Sequence, residues 1–588
     1  MKSFFQSLLG TLLALVLFIG GLFAFFFILA ASMGPKPPAA PNNAVLVFDL
    51  DRTLPDRPGE DDPAAAIQKA LQGNMGQDPS LPALIDALDR AAGDPKISGL
   101  FITGNLRSGG SAALLELKQA LHRFKDKKPV ISYNQAWGRG DLYLCAGLGK
   151  VYINPFGALD ITAPSADLFF LKKAFDKYGI EVQVTKVGKY KSAVEPFTSD
   201  RMSPENREQI KAYLDEIWDG FKMEIAWGRN LEPAVIQKLA DTKGVMNANE
   251  ALAEKLADEL AYYDQILDEL KKMAGSGVSE KSFPQIDIET YIKIPGAPQK
   301  GRNRIAVIVA EGDIVDGGGG AGEIGGDGLA RELRALRMDK NVKAIVMRVN
   351  SPGGSALASD VILREIIAIK ESKPFVVSMG NVAASGGYWI SAFANRIFAE
   401  PGTLTGSIGV FGMFPNAKKL ATDHGIAFDS VQAGEIGNSS LIRPMTPKEL
   451  ERAQALVDFV YDQFLEKVSE GRGIDKKELH EIAQGRVWTG RRALELKLVD
   501  EIGGLDAAIK HAAQLANIEN DYRIDSPETP KTAFERLMKS LSDPEKRKLA
   551  KSGPFGKAQN ELESALLRLR SLNDPNGVYA LAPSITVR

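Results

Sequence analysis

The sequence has few of the residues that most often carry enzyme chemistry. Cys145 is the only cysteine among 588 residues, which excludes an internal disulfide and a cysteine-rich metal site. Only four histidines are present, and none of them stands in a pattern typical of a catalytic base: His122, His424, His480 and His511. The 72 Lys and Arg residues balance 74 Asp and Glu residues, so no basic excess points to a nucleic-acid partner.

The N-terminal segment lacks charge. No charged residue occurs between Lys2 and Lys36, and this apolar run exceeds the roughly 20 residues that a membrane-spanning helix needs. A signal peptide has an apolar region of only about 7–15 residues, so the sequence predicts a retained anchor, although the small residues AASMG leave cleavage open. We expect residues 1–43 to form a single-pass anchor and a Pro-rich spacer, with the body of the chain on the periplasmic side of the inner membrane.

An internal repeat organises the rest of the chain. The stretch ISGLFITGNLRSGGSAALLELKQAL from Ile97 parallels VKAIVMRVNSPGGSALASDVILREI from Val342, and the stretch from Lys128 parallels the stretch from Lys373. Equivalent positions lie about 245 residues apart, which indicates duplication of a whole domain. Within each half, short apolar runs alternate with helical segments, a pattern typical of an α/β fold with much parallel sheet.

The repeat predicts two copies of one α/β domain. We expect the first copy over residues 44–274 and the second over residues 304–516. A linker at 275–303 would join them, and a charged, helical tail would follow at 517–588.

A serine in the second copy stands out as a candidate nucleophile. Ser407 lies in LTGSIGVFG, with Gly406 before it and Gly409 two positions after it. Such small neighbours predict an exposed hydroxyl, although Thr405 replaces the first glycine of a G-x-S-x-G elbow. Ser385, in NVAASGGYWIS, is a rival nucleophile, but the start of a closely packed helix is its more ordinary interpretation.

The repeat also identifies a candidate base. Alignment of the two copies places Lys191, in VTKVGKYKSAVEPF, opposite Gly437, and it places Ser407 opposite Ile161. Each copy therefore has one residue with a reactive side chain where the other copy has glycine or isoleucine. Two complementary half-sites of this kind would together make one site. A lysine has an ordinary pKa of about 10.4, and burial between the copies would lower it enough for the amine to accept a proton.

Three further motifs each suggest a functional site and also have a simpler structural explanation. VFDLDRTLPD matches a phosphatase pattern through Asp49 and Asp51, but the equivalent strand of the second copy lacks both carboxylates. The glycine-rich stretch 316–328 lacks the G-K-[S/T] of a phosphate-binding loop and predicts a surface loop. NSPGGS at 350–355 follows a strand and precedes a helix, where glycines would let backbone N–H groups face an oxyanion, with a plain tight turn as the alternative.

These motifs resemble signal peptide peptidase A of the long, duplicated kind, also called the protease IV type, within the Clp protease/crotonase superfamily. The resemblance runs from the N-terminal anchor through YKSAVEPF, RVNSPGGS, NVAASGGYWISA and TLTGSIGVFG to NDPNGVYAL. It implies a Ser/Lys dyad peptidase with Ser407 as nucleophile, Lys191 as general base, and the backbone N–H groups of Gly354 and Ile408 as oxyanion donors. It also implies a membrane-anchored homotetramer that degrades released signal peptides, without a metal ion or cofactor.

Two other functions stay open on the sequence alone. The chain could be a membrane-anchored scaffold whose catalytic remnants have decayed, or an acyl-CoA hydrolase of the same fold. Survival of both Ser407 and Lys191 argues against the first, and the anchor with the Ser/Lys pair argues against the second. The hydroxyl that orients Lys191 is not fixed by the sequence, and Ser430 is one candidate.

Overall fold

The computed structural model describes residues 38–58, 78–277, 279–296, 301–320, 322–437, 440–525 and 578–583. The predicted membrane anchor and the part of the tail that was predicted to be helical lie outside these residues. Within the described ranges, no helix combines the length and the apolarity that a membrane span requires.

The first copy is built on a seven-stranded sheet with the order β6-β4-β3-β2-β1-β8, in which β7 pairs with β4. Its strands are β1 (Ala44–Asp49), β2 (Ile97–Thr103), β3 (Val130–Trp137), β4 (Lys150–Asp160), β6 (Val245–Asn247), β7 (Glu259–Leu260) and β8 (Gln285–Asp287), while β5 (Glu181–Val187) belongs to another sheet. Its helices are α1 (Leu81–Gly93), α2 (Ser111–Lys125), α3 (Arg139–Cys145), α4 (Lys172–Tyr178), α5 (Glu195–Thr198), α6 (Pro204–Arg229), α7 (Pro233–Thr242), α8 (Ala248–Ala253), α9 (Tyr263–Ala274) and α10 (Ile288–Ile292). Every pairing in this sheet is parallel except β4 with β6.

The second copy repeats this plan in an eight-stranded sheet with the order β18-β16-β14-β12-β9-β20, in which β15 also pairs with β14, and β19 pairs with β15. These strands are β9 (Asn303–Glu311), β12 (Val342–Ser351), β14 (Phe375–Ala384), β15 (Arg396–Ala399), β16 (Leu404–Gly406), β18 (Val487–Thr489), β19 (Glu501–Ile502) and β20 (Tyr522–Asp525). The helices are α11 (Gly326–Met338), α12 (Ala356–Lys370), α13 (Gly386–Trp389), α14 (Lys418–Asp423), α15 (Pro447–Arg472), α16 (Lys476–Ile482), α17 (Gly490–Glu495) and α18 (Leu505–Leu515).

Corresponding elements have matching lengths, so the predicted duplication of an α/β domain is confirmed. Helices α2 and α12 each have 15 residues, and α6 and α15 each have 26. The two long helices also begin alike. The side chains of Ser203 and Thr446 each cap the N-terminus and are followed directly by proline, which suits the first turn of a helix.

The segment 275–303 is more than a linker between the copies. Strand β8 lies within it and extends the first sheet by pairing with β1. Helix α10 then buries Ile288 and Tyr291 in the first hydrophobic core. Short apolar stretches in this segment therefore complete the first copy, because they cover its sheet edge and fill its core.

A third sheet combines strands of both copies. Its order is β11-β10-β13-β21-β17-β5, where β10 is Asp313–Val315, β11 is Glu323–Gly325, β13 is Gly353–Ser355, β17 is Val410–Asn416 and β21 is Val578–Leu581. Strand β5 from the first copy pairs antiparallel with β17 from the second, from Val187 opposite Val410 to Glu181 opposite Asn416. This pairing places the chain just after β5 beside the chain just before β17.

A buried ion cluster also joins the copies. Arg348, on β12, donates from Nε to Asp56 Oδ1 at 2.8 Å and from Nη2 to Glu116 Oε1 at 2.5 Å. Both carboxylates belong to the first copy, and all three side chains are almost fully buried. The interface between the copies is therefore held by charge neutralisation as well as by the mixed sheet.

Candidate active site

The two half-sites predicted from the repeat meet in one chain. Lys191 Nζ lies 3.1 Å from Ser407 Oγ and 3.0 Å from the backbone oxygen of Ser407. It also lies 2.7 Å from Ser385 Oγ, so one amine contacts the hydroxyls of both candidate nucleophiles. All three residues are fully buried.

The mixed sheet explains why Lys191 and Ser407 are neighbours although they are far apart in sequence. Lys191 follows β5 after a turn at Gly188, whose φ is +102°. Ser407 directly follows β16, lies three residues before β17 and has a φ of +51°. A side chain at Gly188 would also collide with the backbone of Gln484, at 2.4 Å from an added Cβ, so only glycine fits this turn.

A loop of the second copy, residues 484–486, clamps the segments of Lys191 and Ser407 through backbone hydrogen bonds. The N–H of Tyr190 donates to Gln484 O, the N–H of Gly485 donates to Ile408 O, and the N–H of Ser407 donates to Arg486 O. Because the loop binds the lysine segment on one side and the serine segment on the other, it sets the distance between the two reactive atoms.

The start of helix α6 holds the lysine segment from the other side. Gln209 Nε2 donates to the backbone oxygen of Tyr190 and to Ser192 Oγ, both at 3.1 Å. The Gln209 Oε1 atom accepts from the N–H of Val487 at 3.2 Å, and Ser192 Oγ donates to Asn206 Oδ1 at 2.9 Å. Sequence reasoning missed Gln209 and Asn206, since nothing in their local pattern distinguishes them from other polar residues in the first turns of a helix.

The surroundings of Lys191 favour a neutral amine. Burial lowers the pKa of Lys191 well below its ordinary value of 10.5. Within the described part of the chain, Lys191 takes part in no salt bridge, so no carboxylate offsets this effect. A neutral amine donates through two N–H groups and accepts through one lone pair. It can therefore bind all three oxygen partners if one of them, a serine hydroxyl, donates to it. The site is thus arranged for the lysine to accept a proton from a serine hydroxyl.

Ser385 occupies a strained turn at the end of β14. Its φ of 56° and ψ of −114° are unusual for a residue with a side chain, and such strain is concentrated at functional sites. Its N–H donates to Gly406 O at 2.8 Å, which fixes it beside the serine segment. Ser430, the candidate from the sequence, instead lies in an exposed segment and donates its N–H to Asp429. The additional hydroxyl on Lys191 therefore belongs to Ser385.

The residues predicted as oxyanion donors lie on different segments of the second copy. Ile408 directly follows Ser407 and is buried. Gly354 lies in β13, between Ile314 of β10 and Ala580 of β21. Its φ is +155°, and an added Cβ would lie 2.0 Å from Ile314 O, so this position requires glycine.

The remaining motifs lie apart from this constellation. Asp49 ends β1, where its Oδ1 accepts from the N–H of Asp51, and Asp51 forms an ion pair with Arg107. Across the residues described, no cluster of His, Cys, Asp and Glu could hold a metal ion. The phosphatase interpretation of the first motif therefore has no carboxylate cluster to support it.

Comparison with known proteins gives a consistent result. A family model described as peptidase family S49 matches residues 122–277 and 367–519, one segment in each copy. Protease 4 of Haemophilus influenzae is 34% identical over 602 residues, which cover 96% of this chain and 95% of that protein. Protease 4 of Salmonella typhi is 34% identical over 91% of this chain and 89% of its own length. The chloroplastic serine protease SPPA of Arabidopsis thaliana is 32% identical over 78% of this chain and 69% of its own length.

The family match covers more than half of the chain, and the two Protease 4 relatives align with it almost from end to end. A duplicated α/β body with a buried serine and lysine in contact agrees with these similarities. The chain therefore belongs to peptidase family S49 and is a serine protease.

Proposed function

We propose that the chain is an endopeptidase that uses a Ser/Lys dyad, with Ser407 as nucleophile and Lys191 as general base. The observation that carries this proposal is the buried amine of Lys191, which has no ion-pair partner among the described residues and lies 3.1 Å from Ser407 Oγ. This distance is within the range over which a general base takes a proton directly. The four histidines are not needed, because a neutral lysine supplies the base.

The proposed reaction begins with transfer of the Ser407 hydroxyl proton to Lys191 Nζ. The serine oxygen then attacks the carbonyl carbon of the scissile peptide bond and forms a tetrahedral intermediate. Lys191 returns the proton to the leaving amine, which departs and leaves an acyl-enzyme. A water molecule, deprotonated by Lys191, then hydrolyses the ester and regenerates the Ser407 hydroxyl.

The backbone N–H groups of Gly354 and Ile408 are the proposed oxyanion donors. Ile408 directly follows the nucleophile, and Gly354 lies on β13, which is joined through β21 to the strand β17 that follows Ser407. Fixed donors of this kind stabilise negative charge in a site without water, and losing one typically costs about 3–4 kcal/mol of transition-state stabilisation.

The finer functional assignment rests on the resemblance and on the N-terminal sequence. We propose released signal peptides as substrates, a crotonase-like homotetramer as the assembled form, and an inner-membrane anchor with the body on the periplasmic side. The uncharged run between Lys2 and Lys36 supports the anchor.

Labelling with a fluorophosphonate tests the proposal directly. A nucleophilic serine beside a base reacts with this reagent, whereas ordinary serines do not. We expect one adduct on Ser407, identified by peptide mass spectrometry, and none in Ser407→Ala. Hydrolysis assays on a peptide and on an acyl thioester, run in parallel, separate a peptidase from a thioesterase. Absence of labelling together with absence of hydrolysis would favour the decayed scaffold.

Ser385 is expected to position the base. Its oxygen accepts an N–H of Lys191, and this hydrogen bond is stronger when the amine is charged. Ser385→Ala should therefore lower kcat/KM by about 10- to 100-fold through loss of orientation. It should also lower the pKa of Lys191 further, so that the acid limb of the pH profile of kcat/KM moves to lower pH.

A second buried serine supplies the control for this prediction. Ser391 Oγ donates to Gly387 O at 2.7 Å and is not among the partners of Lys191, so Ser391→Ala should leave the pH profile unchanged. An unshifted profile in Ser385→Ala would reduce Ser385 to a structural role. Full activity in Ser407→Ala, with none in Ser385→Ala, would make Ser385 the nucleophile.

A further inference from the structure

A short strand near the end of the chain lies beside the catalytic residues. Strand β21 is inserted between β13 and β17 and pairs antiparallel with both. Gly354 of β13 is opposite Ala580, and Phe411 of β17 is opposite Tyr579. One flanking strand thus carries a proposed oxyanion donor, and the other begins three residues after Ser407.

The backbone of β21 approaches the site closely. The carbonyl oxygen of Ala580 lies 2.1 Å from the point that a Cβ on Gly353 would occupy, and 3.1 Å from the corresponding point on Gly386. Gly386 directly follows Ser385, which contacts Lys191. The N–H of Ala582 continues the pairing by donating to Pro352 O at 2.7 Å. Any side chain at Gly353 or Gly386 would therefore collide with this strand or with its neighbours.

The side chains of β21 alternate between two apolar environments, as those of an extended peptide would. Tyr579 and Leu581 join a cluster with Phe411 and with Val194, which lies three residues after Lys191. Ala580 points to the opposite side, into the core of the second copy. Strand β21 thus presents Tyr579 and Leu581 to one apolar cluster, and Val578 and Ala580 to the other.

The catalytic residues have no access to solvent in this structure, in which β21 is paired with β13 and β17. Ser407 and Lys191 are both 0% exposed, although the sequence predicted an exposed hydroxyl at Ser407. A peptidase cannot attack a carbonyl that is unable to reach its nucleophile. Part of the chain must therefore move before a polypeptide substrate can bind, and β21 lies between the strand that carries Gly354 and the strand that begins three residues after Ser407.

We propose that residues 578–582 are a built-in occupant of the peptide-binding cleft, and that a substrate binds by displacing them and pairing with β13 and β17 in their place. The proposal rests on the dyad proposed above. It specifies the substrate as an extended segment with a small residue at the place of Ala580 and large apolar residues at the places of Tyr579 and Leu581. Strand addition of this kind derives its affinity from main-chain hydrogen bonds and its specificity from alternate side chains.

The connection to the rest of the chain makes β21 an effective competitor. Strand β21 is covalently connected to β20 through residues 526–577, so its pairing with β13 and β17 is an intramolecular event. A free peptide then competes poorly unless it pairs better than β21 does. The occupied cleft therefore selects for strongly pairing segments and protects other polypeptides from cleavage.

A reversible disulfide tests this proposal in the full-length chain. Phe411 and Tyr579 are directly opposite in an antiparallel pair and their rings are 5.9 Å apart, so cysteines at both positions meet the distance that a disulfide needs. Cys145 is buried and does not compete. In the Phe411→Cys/Tyr579→Cys variant, oxidation should lower kcat/KM for a peptide substrate at least about tenfold, and reduction should restore it.

A binding measurement separates this proposal from the dyad. In the same double-cysteine variant with Ser407→Ala added, a fluorescent VYALAP peptide should bind to the reduced form and not to the oxidised form, as read by anisotropy. Tyr579→Cys alone should bind equally under both conditions. Equal binding by the reduced and oxidised double variants, or binding by neither, overturns the displaced-strand proposal. Peptide binding by the reduced form without any hydrolysis by the unmodified chain would instead contradict the proposed dyad.

Discussion

Lys191→Met is expected to abolish peptide hydrolysis while raising the stability of the protein. Methionine keeps much of the volume and flexibility of the lysine stem but has no basic nitrogen, so the Ser407 hydroxyl loses its proton acceptor. Removal of one member of a catalytic serine unit typically lowers kcat by on the order of 10⁴-fold or more. The measurement is kcat/KM on an extended apolar peptide, with circular dichroism to confirm that the fold is retained.

The stability gain follows from the direction of the pKa shift. The folded protein holds Lys191 at a pKa well below 10.5, the ordinary value that it regains on unfolding. Between these two values the unfolded state binds more protons, so the stability of the native protein rises with pH. The advantage of Lys191→Met over the native protein should therefore be greatest below the folded pKa and vanish above about pH 10.5. Urea titrations at several pH values measure this difference.

The neighbouring lysine provides a matched control. Lys189 is exposed, and its Nζ lies 5.3 Å from the ring centroid of Tyr190, so Lys189→Met should keep most of the activity and show no comparable stabilisation. Ser407→Ala should lose activity to the same extent as Lys191→Met. Substantial hydrolysis by Lys191→Met would contradict the dyad.

The structure also predicts the result of mixing two inactive variants. Lys191 and Ser407 approach to 3.1 Å within one chain, so a mixture of Ser407→Ala with Lys191→Ala should remain inactive. Recovery of activity in the mixture would require the two residues to come from different subunits.

The sequence predicted the features that follow from the internal repeat, and it missed contacts that have no counterpart in the other copy. The duplication, the α/β class and the complementary positions of Lys191 and Ser407 follow from comparing one half of the chain with the other. Ser385 was identified only as a rival nucleophile, because its contact with Lys191 depends on the turn after β14. The clamp at Gln484 and the insertion of β21 leave no periodic signal, since each forms one long-range pairing between segments without counterparts in the other copy.

The partner of Asp56 could not be predicted from the sequence either. The sequence places it at the end of a phosphatase-like motif, yet its partner is Arg348, in the other copy. Long-range charge pairs of this kind show no local pattern. Asp56 therefore belongs to an interface between the copies, where a buried carboxylate needs a cation.

Arg348→Met is expected to destabilise the protein by about 3–5 kcal/mol, the usual cost of removing one partner from a buried ion pair. The substitution leaves Asp56 and Glu116 buried without their cation. Ser378 Oγ also loses the donor at Nη1, which lies 2.9 Å away. The measurement is the free energy of unfolding from urea titration at neutral pH.

Neutralising the carboxylates should recover most of this loss. In Asp56→Asn/Glu116→Gln/Arg348→Met the buried charges are removed together, and replacing a whole buried ion cluster by neutral groups is often close to neutral in stability. Arg348→Lys should fall between the native protein and Arg348→Met, because an ammonium keeps the charge but cannot bond both carboxylates in the fixed geometry of a guanidinium. A loss below about 1 kcal/mol in Arg348→Met would show that the cluster does not hold the copies together. In that case the mixed sheet that aligns Lys191 with Ser407, together with hydrogen bonds such as that of Gln209 with Val487, would have to join the two copies.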